Sequence, residues 1–204
     1  MLILDACCGA MKIYNGYHTK LIDKDEIISI DKRRGDFSYN SSNKVIVKPT
    51  IVADVRYLPL KDHCVDAIIC DPPHLDLGTN YEKSYLYCKY GSWTIHETVR
   101  HLRFMDVEFS RVLKNNGFLF LKIMCDRKGI YQELLKHFQF FLPIQVYRRL
   151  GNMKNPSLID GALWLIGFKT NPVSSSVWET IPDDEVVNPF LMIASKETKE
   201  CQSK

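Results

Sequence analysis

Three short apolar runs each stop at an aspartate, and a fourth stops at an aspartate followed by two prolines. Residues 2–4 lead to Asp5, residues 26–31 end on Asp31, residues 50–54 end on Asp54, and Ile68-Ile69-Cys70 leads into Asp71-Pro72-Pro73-His74. Near-continuous apolar runs of this length suit the strands of a parallel sheet covered on both faces. Such strands carry their carboxyl ends on one edge, where open α/β sheets bind ligands. Prolines cannot continue a ladder and hold φ near one value, so the fourth run ends in a rigid turn.

The rest of the chain extends this pattern. A short helix fits residues 11–16, and residues 74–93 form a long polar, aromatic loop of the kind that serves as a lid or binding loop. Thr94, with Glu97 three residues on, opens a helix through a capping box. Val99, Leu102, Met105, Phe109 and Val112 recur at helical spacing, and Asn116-Gly117 closes the helix. Residues 118–123 read as a fifth strand. A second helix begins at Asp126, with Ile130, Leu134, Leu135, Phe138 and Phe141 on one face. Residues 144–149 and 162–168 are strands with no helix between them, hence an antiparallel pair. The expected fold is α/β, with a doubly wound, mostly parallel sheet and an antiparallel C-terminal strand pair. The expected domain spans residues 1–170, with an extended tail over 171–204.

Composition narrows the function classes. No stretch of the 204 residues approaches the roughly 20 apolar residues of a membrane span, and no signal peptide is visible. The reading is a soluble cytoplasmic protein, or a nuclear one in a eukaryotic cell. The 7 cysteines form no C-x-x-C pair, which excludes the usual zinc spacing and leaves reduced thiols. No metal site is expected. A net charge of +3 permits nucleic-acid binding without arguing for it.

Three carboxylates on one sheet edge can bind a ligand that carries an ammonium, a diol and an amine. S-adenosylmethionine has all three. Gly9 lets the backbone approach such a ligand without a Cβ. Cys7 and Met11 stand where a pyrophosphate-binding glycine turn would need clear space, which argues against a nicotinamide cofactor. Asp31 follows Gly9 by about 20 residues, the usual offset for a ribose-holding carboxylate. The adjacent run Lys32-Arg33-Arg34 reads as a solvated turn. Tyr81, Tyr85, Tyr87, Tyr90 and Trp93, interleaved with Lys83 and Lys89, suit base stacking and phosphate contact.

The segment from Asp5 to Met11, DACCGAM, resembles the first motif of class I S-adenosylmethionine-dependent methyltransferases of the amino-methylating branch. Asp71 to His74, DPPH, resembles that branch's Asp/Asn/Ser-Pro-Pro-aromatic catalytic motif. The resemblance spans about residues 2–168 and is nearest to predicted DNA methyltransferases of compact phage and prophage type, which combine DACCG, VAD and DPPH. It implies that Asp5, Ala6, Cys7, Cys8, Gly9 and Met11 wrap the cofactor's amino-acid part, that Asp31 holds the ribose, and that Asp54 with Val55 meets the adenine. Asp71 and the Pro72 carbonyl would accept hydrogen bonds from the target amine, held in place by Pro73, with His74, Tyr90 and Trp93 against the substrate. His74 departs from the family, which places Tyr, Phe or Trp there to stack on a base flipped from a duplex.

The leading expectation is methylation of an exocyclic amine in nucleic acid, at DNA adenine N6 or cytosine N4. The alternatives are an RNA base, a protein amide, a small molecule, or a catalytically silent subunit of the same fold that binds nucleic acid or a partner. The chain has no separate target-recognition domain, so a homodimer or a partner subunit is expected to help with recognition.

Overall fold

The computed structural model describes residues 1–10, 27–42, 44–73, 84–124, 131, 134–141, 144–146 and 162–170. The expected helix over 11–16, the cap at Asp126 and the tail over 171–204 lie outside these residues.

Among the described residues, eight strands form one sheet. They are β1 (Ile3–Ala6), β2 (Ile27–Asp31), β5 (Ile51–Val52), β6 (Val65–Cys70), β7 (Leu113–Met124), β8 (Phe138–Phe140), β9 (Ile144–Val146) and β10 (Ala162–Lys169), with β3 (Gly35–Ser38) and β4 (Lys44–Val47) forming a separate hairpin. The order across the sheet is β5-β2-β1-β6-β7-β10-β8, and β9 also pairs with β10. The first four pairings along this order are parallel, and those made by β10 are antiparallel. This is the expected architecture. It puts Asp5, Asp31, Asp54 and Asp71 at the carboxyl ends of β1, β2, β5 and β6 or just beyond them.

The central strands are buried because both sheet faces are covered: Leu4, Ile30, Ile68, Leu119, Leu121 and Leu165 share one core. Helix α2 (Ile95–Val112) supplies much of the cover. Its predicted apolar positions Val99, Leu102, Met105, Phe109 and Val112 are all buried, each worth roughly 1.5–3 kcal/mol of burial. The predicted capping box is present. The Thr94 hydroxyl accepts from the Glu97 amide at 3.2 Å, and the Glu97 carboxylate accepts from the Thr94 amide at 2.8 Å.

Asn116-Gly117 does not end the helix. α2 stops at Val112, and β7 begins at once with the buried Leu113. Val65 pairs with Leu113 and Ala67 with Phe118, so residues 114–117 form a bulge in the strand. A Cβ on Gly117 would lie 2.6 Å from the Leu113 side chain and 2.8 Å from the Asp66 carbonyl, so the glycine serves a close approach between strands.

Two further expectations are corrected. Phe138 does not continue a helix. The buried Asp106 carboxylate accepts from the His137 amide at 2.9 Å and meets His137 Nδ1 at 2.6 Å, which draws the chain out of helical geometry. Phe138–Phe140 then pairs with β10, and its buried, exposed, half-buried pattern has the period of a strand. The expected 74–93 loop also contains a helix, α1 (Tyr85–Tyr90), capped by Ser84 and ended by Gly91 at φ 78°. The apolar face of the β3–β4 hairpin packs on α1, with Val45 and Val47 against Cys88.

Candidate active site

Two cavities open side by side along the carboxyl edge of the sheet. The first encloses about 610 Å³ counted out to its mouth and is lined by Asp31, Asp54, Val55, Pro73, Trp93 and His101 among others. The second encloses about 680 Å³ and is lined by Asp5, Gly9, Asp71, Lys89, Lys122 and Trp164 among others. Cys7 and Tyr90 line both cavities and so form the boundary between them.

The turn after β1 is built for close approach. Cys7 sits at φ 63° and Gly9 at φ 50°, both in the left-handed region. For Cys7 this is a strained conformation of the sort that collects at functional sites. A Cβ on Gly9 would stand 2.7 Å from the Lys89 carbonyl, because the end of α1 closes directly over this turn. The Cys8 amide donates to the Ile30 carbonyl at 3.0 Å and the Gly9 amide donates to the Asp31 carboxylate at 3.0 Å, which locks the turn to β2. Ala6 and Cys8 are buried beneath it. Burial, with Asp5 and Asp31 nearby, pushes the Cys8 thiol well above its ordinary value. Burial and a hydrogen bond with Cys7 do the same to Cys70. Neither is suited to act as a thiolate nucleophile.

Asp31 and Asp54 are held by the same local device. Each is followed two residues on by an arginine whose own amide donates back to the carboxylate: Arg33 to Asp31 at 2.8 Å and Arg56 to Asp54 at 3.0 Å. The side chains then diverge. Arg56 clamps its own aspartate through Nε at 2.9 Å and a terminal nitrogen at 2.7 Å, which holds the Asp54 carboxyl below its usual range. Arg33 reaches Asp31 Oδ1 at 3.3 Å but also donates to the carbonyls of Tyr87, Cys88 and Lys89 at 3.1–3.3 Å. The Lys32-Arg33-Arg34 run is therefore not uniformly solvated: Lys32 and Arg34 are exposed, while Arg33 is drawn inward as a tie between β2 and α1.

Val55 is buried, and the segment after it is pinned to α2. Arg111 donates to the Leu58 and Leu60 carbonyls at 2.9 and 2.7 Å, and the Glu108 carboxylate accepts from the Leu58 amide at 2.7 Å. Trp93 is 4% exposed and stacks on His101, ring centroids 4.3 Å apart, inside the first cavity. Burial, then the charges of Arg56 and Lys32, lower the pKa of His101. Trp93 thus stands with Asp31, Asp54 and Val55, on the other side of the Cys7–Tyr90 boundary from Asp71.

Asp71 opens on the second cavity, where Lys122 from β7 donates to its Oδ2 at 2.6 Å. The Lys122 ammonium also lies 5.6 Å from the Tyr90 ring centroid. The Lys89 ammonium lies 4.2 Å from the same ring and bonds the Tyr90 hydroxyl. Pro72 and Pro73 are buried, and Pro73 lines the first cavity. Met11 and His74 lie outside the described residues. Among the described residues no group of three or more His, Cys, Asp or Glu is arranged to hold a metal ion, and no helix is long and apolar enough to cross a membrane.

Arg33, His101 and Lys122 are site residues that the sequence reading passed over. Two had a signal. The repeated Asp-x-Arg at Asp31 and Asp54 marks both clamps, and Lys122 interrupts an otherwise apolar strand from Phe118 to Ile123.

The topology and the sheet edge together define the class: this is the class I methyltransferase fold. Among solved structures, TrmN from Thermus thermophilus matches over 83% of this chain and 44% of its own length, at 16% identity and a TM-score of 0.52. A SAM dependent methyltransferase from Aquifex aeolicus matches over 82% of this chain and 81% of its own, at 14% identity and a TM-score of 0.45. The chain therefore spans less than half of TrmN, and the likeness is one of fold. No family model matches the chain, and no curated protein matches it.

Proposed function

We propose that the chain is an S-adenosylmethionine-dependent methyltransferase that modifies an exocyclic amine of a nucleic-acid base, DNA adenine N6 or cytosine N4 foremost. The observation that carries this reading is the adjacency of the two cavities across Cys7 and Tyr90: one holds Asp31 and Asp54, the other Asp71.

The residues present fit the cofactor. Asp31 suits a ribose diol, and Asp54 Oδ2, which accepts one bond from Arg56, keeps room for a second donor such as the adenine amine. Trp93 and His101 offer flat surface for a heteroaromatic ring. Asp5, Gly9 and the turn between them suit the amino-acid end. When bound, the cofactor supplies an electrophilic methyl group.

The chain's own part is to hold and polarise the acceptor amine. An amine on an aromatic ring is a poor nucleophile because its lone pair is delocalised. Asp71 and the Pro72 carbonyl would accept its hydrogens, turn the nitrogen towards tetrahedral geometry and stabilise the positive charge that develops there. The Lys122 ammonium holds the Asp71 carboxylate in place from the neighbouring strand. The buried prolines fix both acceptors. Tyr90, between two lysines, suits a base that must be stacked while its phosphate is held. A homodimer or a partner subunit would supply recognition of flanking sequence.

The test is to offer labelled S-adenosylmethionine to DNA, RNA and protein, digest the labelled polymer and identify the methylated unit by mass. An N-methylated adenine or cytosine is the expected product. Label confined to protein, or to a carbon or oxygen of a base, would overturn the reading.

A further inference from the structure

Asp71 does not stand alone in its cavity. It presents a carboxylate oxygen, and 2.6 Å from that oxygen stands the Lys122 ammonium, on the neighbouring strand and in the same cavity wall. One polar element from β6 and one from β7 thus place an acceptor beside a donor. An ammonium has three protons, and Asp71 takes one of them here, so Lys122 can donate to a second group without leaving its partner. The pair is only about a fifth exposed, at 22% and 20%, where a mismatched edge would leave a charged group without compensation.

We propose that Lys122 is a specificity-determining residue that donates to the ring nitrogen next to the target amine while Asp71 accepts from the amine itself. The inference rests on the methyltransferase reading and deepens it. Adenine carries N1 beside its N6 amine, and cytosine carries N3 beside its N4 amine. Each shows a donor next to an acceptor, the complement of Asp71 beside Lys122. Guanine flanks its N2 amine with a second donor at N1 and offers an acceptor only at N3, crowded by the sugar. The Asp71–Lys122 pair therefore selects an adenine or cytosine edge and turns guanine away.

The experiment uses the full chain with single-stranded DNA and RNA oligonucleotides that each carry one amine-bearing base in a thymine or uracil background. The wild type should label the adenine or the cytosine substrate and spare guanine. Replacing the adjacent ring nitrogen by carbon, as 1-deazaadenine or 3-deazacytosine, should lower kcat/KM about 10- to 100-fold, while 7-deazaadenine should behave as adenine. Lys122→Met should lose about the same factor on the natural base and become indifferent to the deaza change, with its affinity for S-adenosylhomocysteine by calorimetry unchanged. A wild type indifferent to the deaza substitution, a Lys122→Met variant as sensitive to it as the wild type, or label on guanine would each overturn the inference and leave the methyltransferase reading standing. Label on no oligonucleotide, with S-adenosylhomocysteine still bound, would overturn the nucleic-acid reading and this inference with it.

Discussion

Arg33 joins the Asp31 carboxylate to three carbonyls at the end of α1, at 17% exposure. The carboxylate at the end of β2 and the helix that closes over Gly9 are therefore held by one side chain. Removing the guanidinium breaks the bonds to those carbonyls, of which that of Tyr87 keeps the Gly91 amide at 2.7 Å, at a cost of about 1–3 kcal/mol. Arg33→Ala should weaken S-adenosylhomocysteine binding about tenfold by calorimetry and make the 84–91 segment more sensitive to limited proteolysis. Equal affinity and equal digestion would show that α1 is held by other means.

Asp71→Asn keeps the size of the side chain and one acceptor but removes the charge opposite Lys122. If Asp71 stabilises positive charge on the target nitrogen, kcat should fall about 10²–10³-fold with little change in cofactor affinity. An unchanged kcat would remove Asp71 from the chemistry.

Gly9→Ala combines two costs. At φ 50° an L-residue gives up roughly 1–2 kcal/mol, and the new Cβ would meet the Lys89 carbonyl at 2.7 Å, a main-chain contact that must move. The melting temperature should drop by at least about 3 °C, and cofactor binding should weaken with it. A variant with wild-type melting and binding would mean that α1 does not close on this turn in solution.

The pH dependence of stability should show His101. Burial is the first cause of its lowered pKa, followed by Arg56 and Lys32, against which Asp54 and Glu97 act in the opposite direction. The unfolded chain, with an ordinary value of 6.5 at this position, binds the proton more readily than the folded one. The contribution is therefore full above pH 6.5 and is lost as pH falls from there towards the folded value. Urea midpoints taken between pH 5 and 7.5 should decline on the acid side, and His101→Phe, which keeps the ring against Trp93, should flatten that decline. Parallel curves for the two proteins would exclude this group as the cause.

The fold was legible because its signals are local. The apolar runs that end at Asp5, Asp31 and Asp71 have strand length and largely buried side chains, whereas the run to Asp54 shortens to Ile51–Val52 at the end of the sheet order with Val52 exposed. The Thr94–Glu97 box starts a helix by contacts within one turn. The misreadings fall where a distant partner overrides a local signal. Asn116-Gly117 looks like a helix end, but Leu113 is drawn into the core and the glycine sits in a bulge against Asp66. Phe138 has helical spacing from Leu134 and Leu135, but Asp106, far away on α2, takes the His137 amide and β10 takes the strand.

By itself the sequence determined the strands that end at Asp5, Asp31 and Asp71, that these carboxylates share an edge with Asp54, and that a rigid turn follows β6, because those properties depend on side-chain periodicity and on proline's fixed φ. It did not reveal the β3–β4 hairpin or β8. Tertiary structure alone decided that Lys122 meets Asp71 and that Arg33 reaches beyond its own aspartate to α1. Lys122 and Asp71 are far apart in the chain and meet only because β6 and β7 are neighbours. Arg33, read along the chain, is one of three solvated charges. It becomes a tie because α1 brings three carbonyls within its reach, and a half-buried guanidinium settles where its donors are satisfied.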